Sequence, residues 1–220
     1  MPQTGNGHHK NPLSPPQKAT TAGGHQIAPV RGYLKLSQAA SDFNFAFRGK
    51  VVLDIGSSTG GFTQYALDHG ATKVIAVEKG TNQMHAPLRY DPRIELHEKT
   101  DIFDFKLTPP QDQPPQTSPR LDVIVADVSF LSLTKILKYA KLNLARSNTD
   151  FLVMLKPQFE AAPHQLHQGV VKNETIRRDI IKNFEHWLKS QGFTIIKKHD
   201  NILKGKTGNR ERFYWLRLAK

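Results

Sequence analysis

The stretch VVLDIGSSTGGFTQYALDHG, residues 51–70, runs a β-branched segment into a glycine-bearing turn and then into a helix-like pattern. A strand, a tight turn and a helix in that order open a βαβ unit. The same alternation continues on both sides of it. Apolar runs predict strands at 50–55, 73–78, 93–98, 121–127, 151–156, 193–199 and 212–218, and amphipathic spacing predicts helices at 33–44, 61–69, 82–89, 132–146 and 174–190. Such alternation implies right-handed crossovers, and so a Rossmann-like α/β fold: seven strands in a mostly parallel sheet with helices on both faces. The last two strands are joined by a loop containing KGKTGN, residues 204–209, with no room for a helix, so they are expected to pair antiparallel.

Composition narrows the function classes. At 220 residues the chain is long enough for one domain with a substantial core. It has no cysteine, which excludes disulfides, thiolate metal sites and a cysteine nucleophile. The longest purely apolar run, FLVML at 151–155, falls far short of the roughly 20 residues that span a bilayer, and no signal-peptide pattern opens the chain. A cytoplasmic protein without a membrane partner is the expectation. Thirty-one Lys and Arg against 19 Asp and Glu give a formal charge of +12, a footprint suited to a polyanion or to solvated lysine faces alike. Residues 1–30 lack apolar periodicity and read as a disordered tail, whose irregularly spaced histidines do not form a metal pattern. Residues 106–120 carry five prolines and read as an irregular excursion between the third and fourth strands.

The glycine turn excludes two familiar ligands. G-x-G-x-x-G is not met, because Gly56 is followed by Ser57, Ser58 and Thr59 before Gly60 and Gly61. A P-loop is not met either, because Gly61 is followed by Phe62 rather than Lys. What remains is Asp54 near a strand end, the turn, and Glu78 at the end of the next strand, whose two oxygens suit a pair of free ribose hydroxyls. S-adenosylmethionine fits that set: it lacks a pyrophosphate, and its ammonium and sulfonium charges favour an acidic neighbour such as Asp54. Asp101, after Thr100 and the third strand, is placed either to accept from an adenine amino group or to cap a following turn. The candidate cofactor-binding set is therefore Asp54, Gly56, Ser57, Ser58, Gly60, Gly61, Phe62, Glu78, Thr100, Asp101 and Asp127. Asp54, Glu78, Asp127 and Lys156 are expected along one sheet edge, where open parallel sheets bind ligands. Spacing alone leaves open a methyltransferase or another nucleoside-binding α/β protein.

Several segments together resemble the TlyA family: RGYLKL (31–36), VVLDIGSSTGGFT (51–63), VIAVEKG (74–80), VADVSFLSL (125–133), LKPQFE (155–160), GVV (169–171) and GNRERFYWL (208–216). Its members are S-adenosylmethionine-dependent ribosomal RNA methyltransferases with an FtsJ-like catalytic domain, often called hemolysins. The resemblance covers residues 31–220 and implies a class I methyltransferase sheet with an antiparallel last strand. It also implies a Lys-Asp-Lys-Glu set that methylates a ribose 2′-hydroxyl, falling here on Lys35, Asp127, Lys156 and Glu211. RNA, as ribosomal RNA or a ribosomal subunit, is the implied partner. Typical members carry an S4 domain first; the domain expectation here is a tail, 1–30, followed by one methyltransferase domain, 31–220, without S4. A pore-forming activity finds no support in any amphipathic apolar segment.

In that site Lys156 is the candidate proton acceptor, with its basicity lowered by the like charge of Lys35 and by desolvation. Asp127 would hold Lys156, and Glu211 would position Lys35 or the ribose. Without the family motif, Lys35 would read as an exposed helix lysine and Glu211 as a partner of Arg210 or Arg212. RNA contact is expected on the basic segment 197–220 rather than on the helix face of Lys135, Lys138, Lys141 and Arg146, and the loop 157–169 reads as a closing segment or a plain connection. A methyltransferase for another substrate and a non-catalytic RNA-binding or assembly factor are the alternatives.

Overall fold

A computed structural model describes residues 19–20, 26–27, 30–107, 121–203, 205 and 208–219. Seven strands form one sheet: β1 (Val51–Ile55), β2 (Lys73–Val77), β3 (Ile94–His97), β4 (Val123–Ala126), β5 (Asp150–Leu155), β6 (Phe193–Asp200) and β7 (Arg212–Leu218). Their order is β3-β2-β1-β4-β5-β7-β6. The first five are mutually parallel, and β7 inserts between β5 and β6, antiparallel to both. The antiparallel pairing expected for the last two strands is present. Strand order reverses between β1 and β4, the place where open sheets bind ligands.

The inner strands are apolar on both faces because helices cover both. On one face Leu53, Ile124 and Val153 pack against Ile136 and Leu137 of α4 (Leu133–Asn143) and Ile181 and Phe184 of α6 (Glu174–Ser190). On the other, Val52, Val123 and Leu152 meet Leu36 and Phe43 of α1 (Arg31–Phe43) and Phe62 and Ala66 of α2 (Gly61–Asp68). Fully burying one such side chain contributes about 1.5–3 kcal/mol. The contact between α1 and α2 depends on glycine. A Cβ on Gly61 would stand 2.6 Å from the Tyr33 backbone nitrogen and 2.9 Å from Gly32 Cα, so a side chain there would push α1 from the sheet.

Four expectations change in detail. The helix expected at 82–89 is only α3 (Ala86–Arg89), since Asn82 turns left-handed at φ 53°. The helix expected to run to 146 ends at Asn143, where Ala145 N–H reaches back to Ala140 O. Residues 157–165, read as loop, contain a helical turn, α5 (Pro157–Glu160), and a 3₁₀ turn, Pro163–Gln165. In the tail, Ala19–Thr20 pairs antiparallel with Gln26–Ile27, a short ribbon where disorder was expected. The rest of residues 1–29, and 108–120 of the proline-rich excursion, lie outside the described residues.

Candidate active site

Glu78, Asp127 and Lys156 each stand one residue beyond the last residue of β2, β4 and β5, which brings them to the same end of the sheet. Asp54 differs. It is the fourth residue of β1, paired in register with Ala76 and Val125, so it sits inside the sheet rather than on its edge.

Lys35 enters from α1 and Glu211 from the residue before β7. Lys156 Nζ lies 2.6 Å from Asp127 Oδ1, Lys35 Nζ lies 3.5 Å from Asp127 Oδ2, and Lys35 Nζ lies 2.8 Å from Glu211 Oε2. The four charges alternate in a chain, Glu211–Lys35–Asp127–Lys156, with no surplus of either sign. Their side chains are 3–19% exposed, so Lys35 is no solvated helix lysine. Such burial is tolerable only where each charge is paired. Arg210 and Arg212 turn away from Glu211 towards Glu174, Asp200 and Glu185, which overturns the alternative of a local salt bridge. One mechanistic expectation also changes: the two lysines are bridged by a carboxylate, so the charge of Lys35 is met by Asp127 before it reaches Lys156.

Lys156 Nζ also donates to Ser129 Oγ at 3.0 Å and to the Asp127 carbonyl at 3.4 Å. Ser129, Phe130 and Phe159 were missed by sequence reasoning. Phe130 has a left-handed backbone, φ 65°, and an 88% exposed side chain, and its ring lies 5.3 Å from that of Phe159. A large aromatic held at a strained φ in water is the kind of outlier that accompanies function. Glu160 ties this corner together by accepting from Ser132 Oγ and Leu133 N–H, both at 2.6 Å. The segment 157–169 is thus anchored at α5, and again where Asn209 Nδ2 donates to Gly169 O at 3.0 Å.

On the other side of the strand reversal, Gly56 and Gly60 have φ of 78° and 89°. Gly56 N–H donates to Val77 O at 2.9 Å, which folds the turn over the end of β2. The Glu78 carboxylate is aimed by two backbone donors, Ser58 N–H at 2.9 Å on Oε2 and Gly80 N–H at 2.7 Å on Oε1. Oε1 also accepts from Gln83 Nε2 at 3.5 Å, while Oε2 keeps a lone pair for a hydroxyl. Thr63 Oγ1 donates to Asp54 Oδ2 at 2.7 Å, while Asp54 Oδ1 and Ser57 Oγ are buried without a partner among the described residues. Burial pushes the Asp54 carboxyl up to about 7, opposed by the Thr63 hydrogen bond and reinforced by the charge of Asp127. Two orphaned polar atoms beneath a glycine turn, beside a carboxylate held open, fit a nucleoside ligand carrying a cationic end.

Two candidates shift. Phe62 is 3% exposed and its ring stacks on Phe213 at 6.0 Å, so its side chain belongs to the core and not to a ligand pocket. Asp101 accepts from Phe103 N–H at 3.1 Å and pairs with Lys79 at 2.9 Å, the turn-capping alternative; these bonds hold its carboxyl below the usual range. Thr100 Oγ1 donates to Glu98 O at 3.0 Å, and Thr100 N–H to Glu78 O at 3.0 Å. Gly61 serves the α1–α2 contact. Among the described residues of the basic segment 197–220, Lys197 donates to Phe43 O, Lys198 pairs with Glu185, Arg212 with Asp200 and Arg217 with Asp150. Lys141, on the α4 face, donates to Gln191 O. Among the described residues no group of three metal-ligating side chains occurs, and no helix is long and apolar enough to cross a membrane.

The sheet order, with its reversed strand and its turn after β1, is that of class I S-adenosylmethionine-dependent methyltransferases; solved examples from Listeria monocytogenes and Mesorhizobium loti share this fold at 17% and 13% identity, with TM-scores of 0.58 and 0.56. The chain belongs to the FtsJ-like methyltransferase family, whose model matches residues 29–218. Its relatives include TlyA proteins. It is 35% identical to the 23S rRNA (cytidine-2′-O)-methyltransferase TlyA of Campylobacter jejuni over 86% of this chain and 71% of the relative. It is 35% identical to the 16S/23S rRNA (cytidine-2′-O)-methyltransferase TlyA of Mycobacterium tuberculosis over 85% of this chain and 67% of the relative. A solved structure from Streptococcus thermophilus, described as a candidate hemolysin, superposes with a TM-score of 0.78 at 31% identity, covering 90% of this chain and 70% of that one.

Proposed function

We propose that the protein transfers a methyl group from S-adenosylmethionine to a ribose 2′-hydroxyl of ribosomal RNA, with Lys35, Asp127, Lys156 and Glu211 as its catalytic set. The observation that carries this reading is the alternating, buried chain of four charges at the strand ends, beside a turn fit for a nucleoside. The relatives named as rRNA (cytidine-2′-O)-methyltransferases support the same substrate.

When bound, S-adenosylmethionine supplies an electrophilic methyl group next to a cationic sulfur. Glu78 would hold the ribose hydroxyls of that cofactor, Asp54 and Ser57 would receive its polar end, and the backbone of Gly56 to Gly60 would border it. Lys156 Nζ, as the free amine, would accept the proton of the substrate 2′-hydroxyl while the C–O bond forms and the C–S bond breaks, its electron pair staying on sulfur. Asp127 fixes the Lys156 amine on one oxygen and Lys35 on the other. Lys35, anchored by Glu211, supplies the positive charge that favours the developing alkoxide. Phe130 presents an open aromatic face at the mouth, on which an unstacked base can rest.

The test is incubation with methyl-labelled S-adenosylmethionine and ribosomal subunits, followed by nucleoside analysis. Label on a ribose is expected. Label on a base or on protein, or RNA binding without label, would replace this reading with one of the alternatives.

A further inference from the structure

Glu211 is the tetrad member least supported by its own strand: it precedes β7, and the described residues among 201–210 lie outside any helix or strand. Something must hold its backbone. Arg177, in the second turn of α6, is 4% exposed. Its Nε donates to the carbonyl of Arg210 at 3.3 Å, so the guanidinium grips the very peptide unit that leads into Glu211. Its Nη2 donates to Asp200 Oδ1 at 2.8 Å and its Nη1 to Glu174 at 3.2 Å. The same Asp200 oxygen accepts from Arg212 Nε at 2.6 Å, so the residue after Glu211 is tied to the same node. On the far side, Asn201 N–H donates to Glu211 O at 2.9 Å. A Cβ on Gly205 would stand 2.9 Å from Glu211 Oε1, which places that loop glycine directly against the carboxylate.

We propose that Arg177 is a positioning residue of the methyl-transfer site: its buried guanidinium holds the Arg210 carbonyl before Glu211 and, through Asp200, the Arg212 side chain after it, and thereby sets the Glu211 carboxylate on Lys35. The three donors in a planar fork suit this work. A lysine offers a point charge that can serve Asp200 but not the Arg210 carbonyl as well. The clamp touches neither the cofactor turn nor Lys156, so it acts only through Glu211.

The proposal rests on the catalytic reading above, and its experiment separates the two. Arg177→Gln, Glu211→Gln and the double variant are compared for methyl transfer, for S-adenosylmethionine affinity and for amide hydrogen exchange across 200–214. Arg177→Gln is expected to lower kcat about tenfold with cofactor affinity within about twofold, and to do nothing further in the Glu211→Gln background. Exchange is expected to quicken at 201–212 while the rest of α6 keeps its protection. Effects that multiply in the double variant, a kcat within twofold of the parent, or unchanged exchange at 201–212 would overturn it. Should the parent transfer no methyl, the catalytic reading fails, yet the exchange data still decide whether the clamp exists. If Arg177→Gln does not fold, Arg177→Lys takes its place, with the same faster exchange expected and unchanged exchange again overturning the clamp.

Discussion

Two charge clusters stand within a few residues of one another and are built differently. The tetrad draws its members from α1, β4, β5 and the approach to β7, and each is largely buried. The neighbouring cluster, Arg177, Asp200, Arg210, Arg212, Glu174 and Glu185, links α6 to β6 and β7, and half of the Arg210 and Glu174 side chains face water. In the outer cluster Asp200 serves three arginines at once, so losing one contact leaves others. In the tetrad each end charge has one ionic partner among the described residues, Lys35 for Glu211 and Asp127 for Lys156. Alternating charge alone therefore does not tell the two clusters apart; deeper burial and convergence of separate elements at the strand ends do.

That contrast can be broken most directly at Lys156. Lys156→Ala is expected to lower methyl transfer by about 10³-fold, in the range of lost general-base catalysis, with cofactor affinity nearly unchanged. Turnover that survived, measured by label incorporation, would put the tetrad in the same class as its neighbour. Asp54 sharpens the comparison, being buried like the tetrad but with one oxygen unmatched. Its folded-state value near 7 lies above its usual 3.8, so the stability it confers is full below about pH 4 and is lost as pH rises towards 7, by about 4 kcal/mol at most. Asp54→Asn should flatten that slope in urea unfolding between pH 5 and pH 8; an unchanged slope would mean another group carries it.

Asp200 titrates the other way. Burial alone would raise its carboxyl, but the hydrogen bonds from Arg212 and Arg177 outweigh it and hold it low. Asp200→Asn should therefore cost about 2 kcal/mol at pH 7, and the cost should shrink as the parent is acidified below its ordinary carboxylate range. The smallest effect is expected at Arg210→Ala, under about 0.5 kcal/mol by thermal melting, since that guanidinium is half exposed. A larger loss there would show the outer cluster to be as tightly coupled as the tetrad.

Much of the fold was legible because its strands are short apolar runs separated by helical spacing, and the turn after β1 spoke against two phosphate-binding patterns by the residues it lacked while leaving the ligand open. Lys35 was not legible from spacing: it sits 92 residues from Asp127, and nothing in a helix pattern marks a lysine that will be buried. Only the family resemblance singled it out. Phe62 misled for the opposite reason, since a residue next to a ligand turn can point its ring into the core while its backbone borders the turn. Arg177 left no trace either, because a guanidinium that reaches Asp200 and Arg210 joins residues whose separation follows no period.

The insertion of β7 between β5 and β6 has a consequence for biosynthesis. As a nascent chain emerges, β5 exposes a bare edge and β6 has no neighbour until residues 212–218 arrive to fill the gap. Glu211 stands immediately before β7, so its carboxylate reaches Lys35 only once that strand has entered the gap.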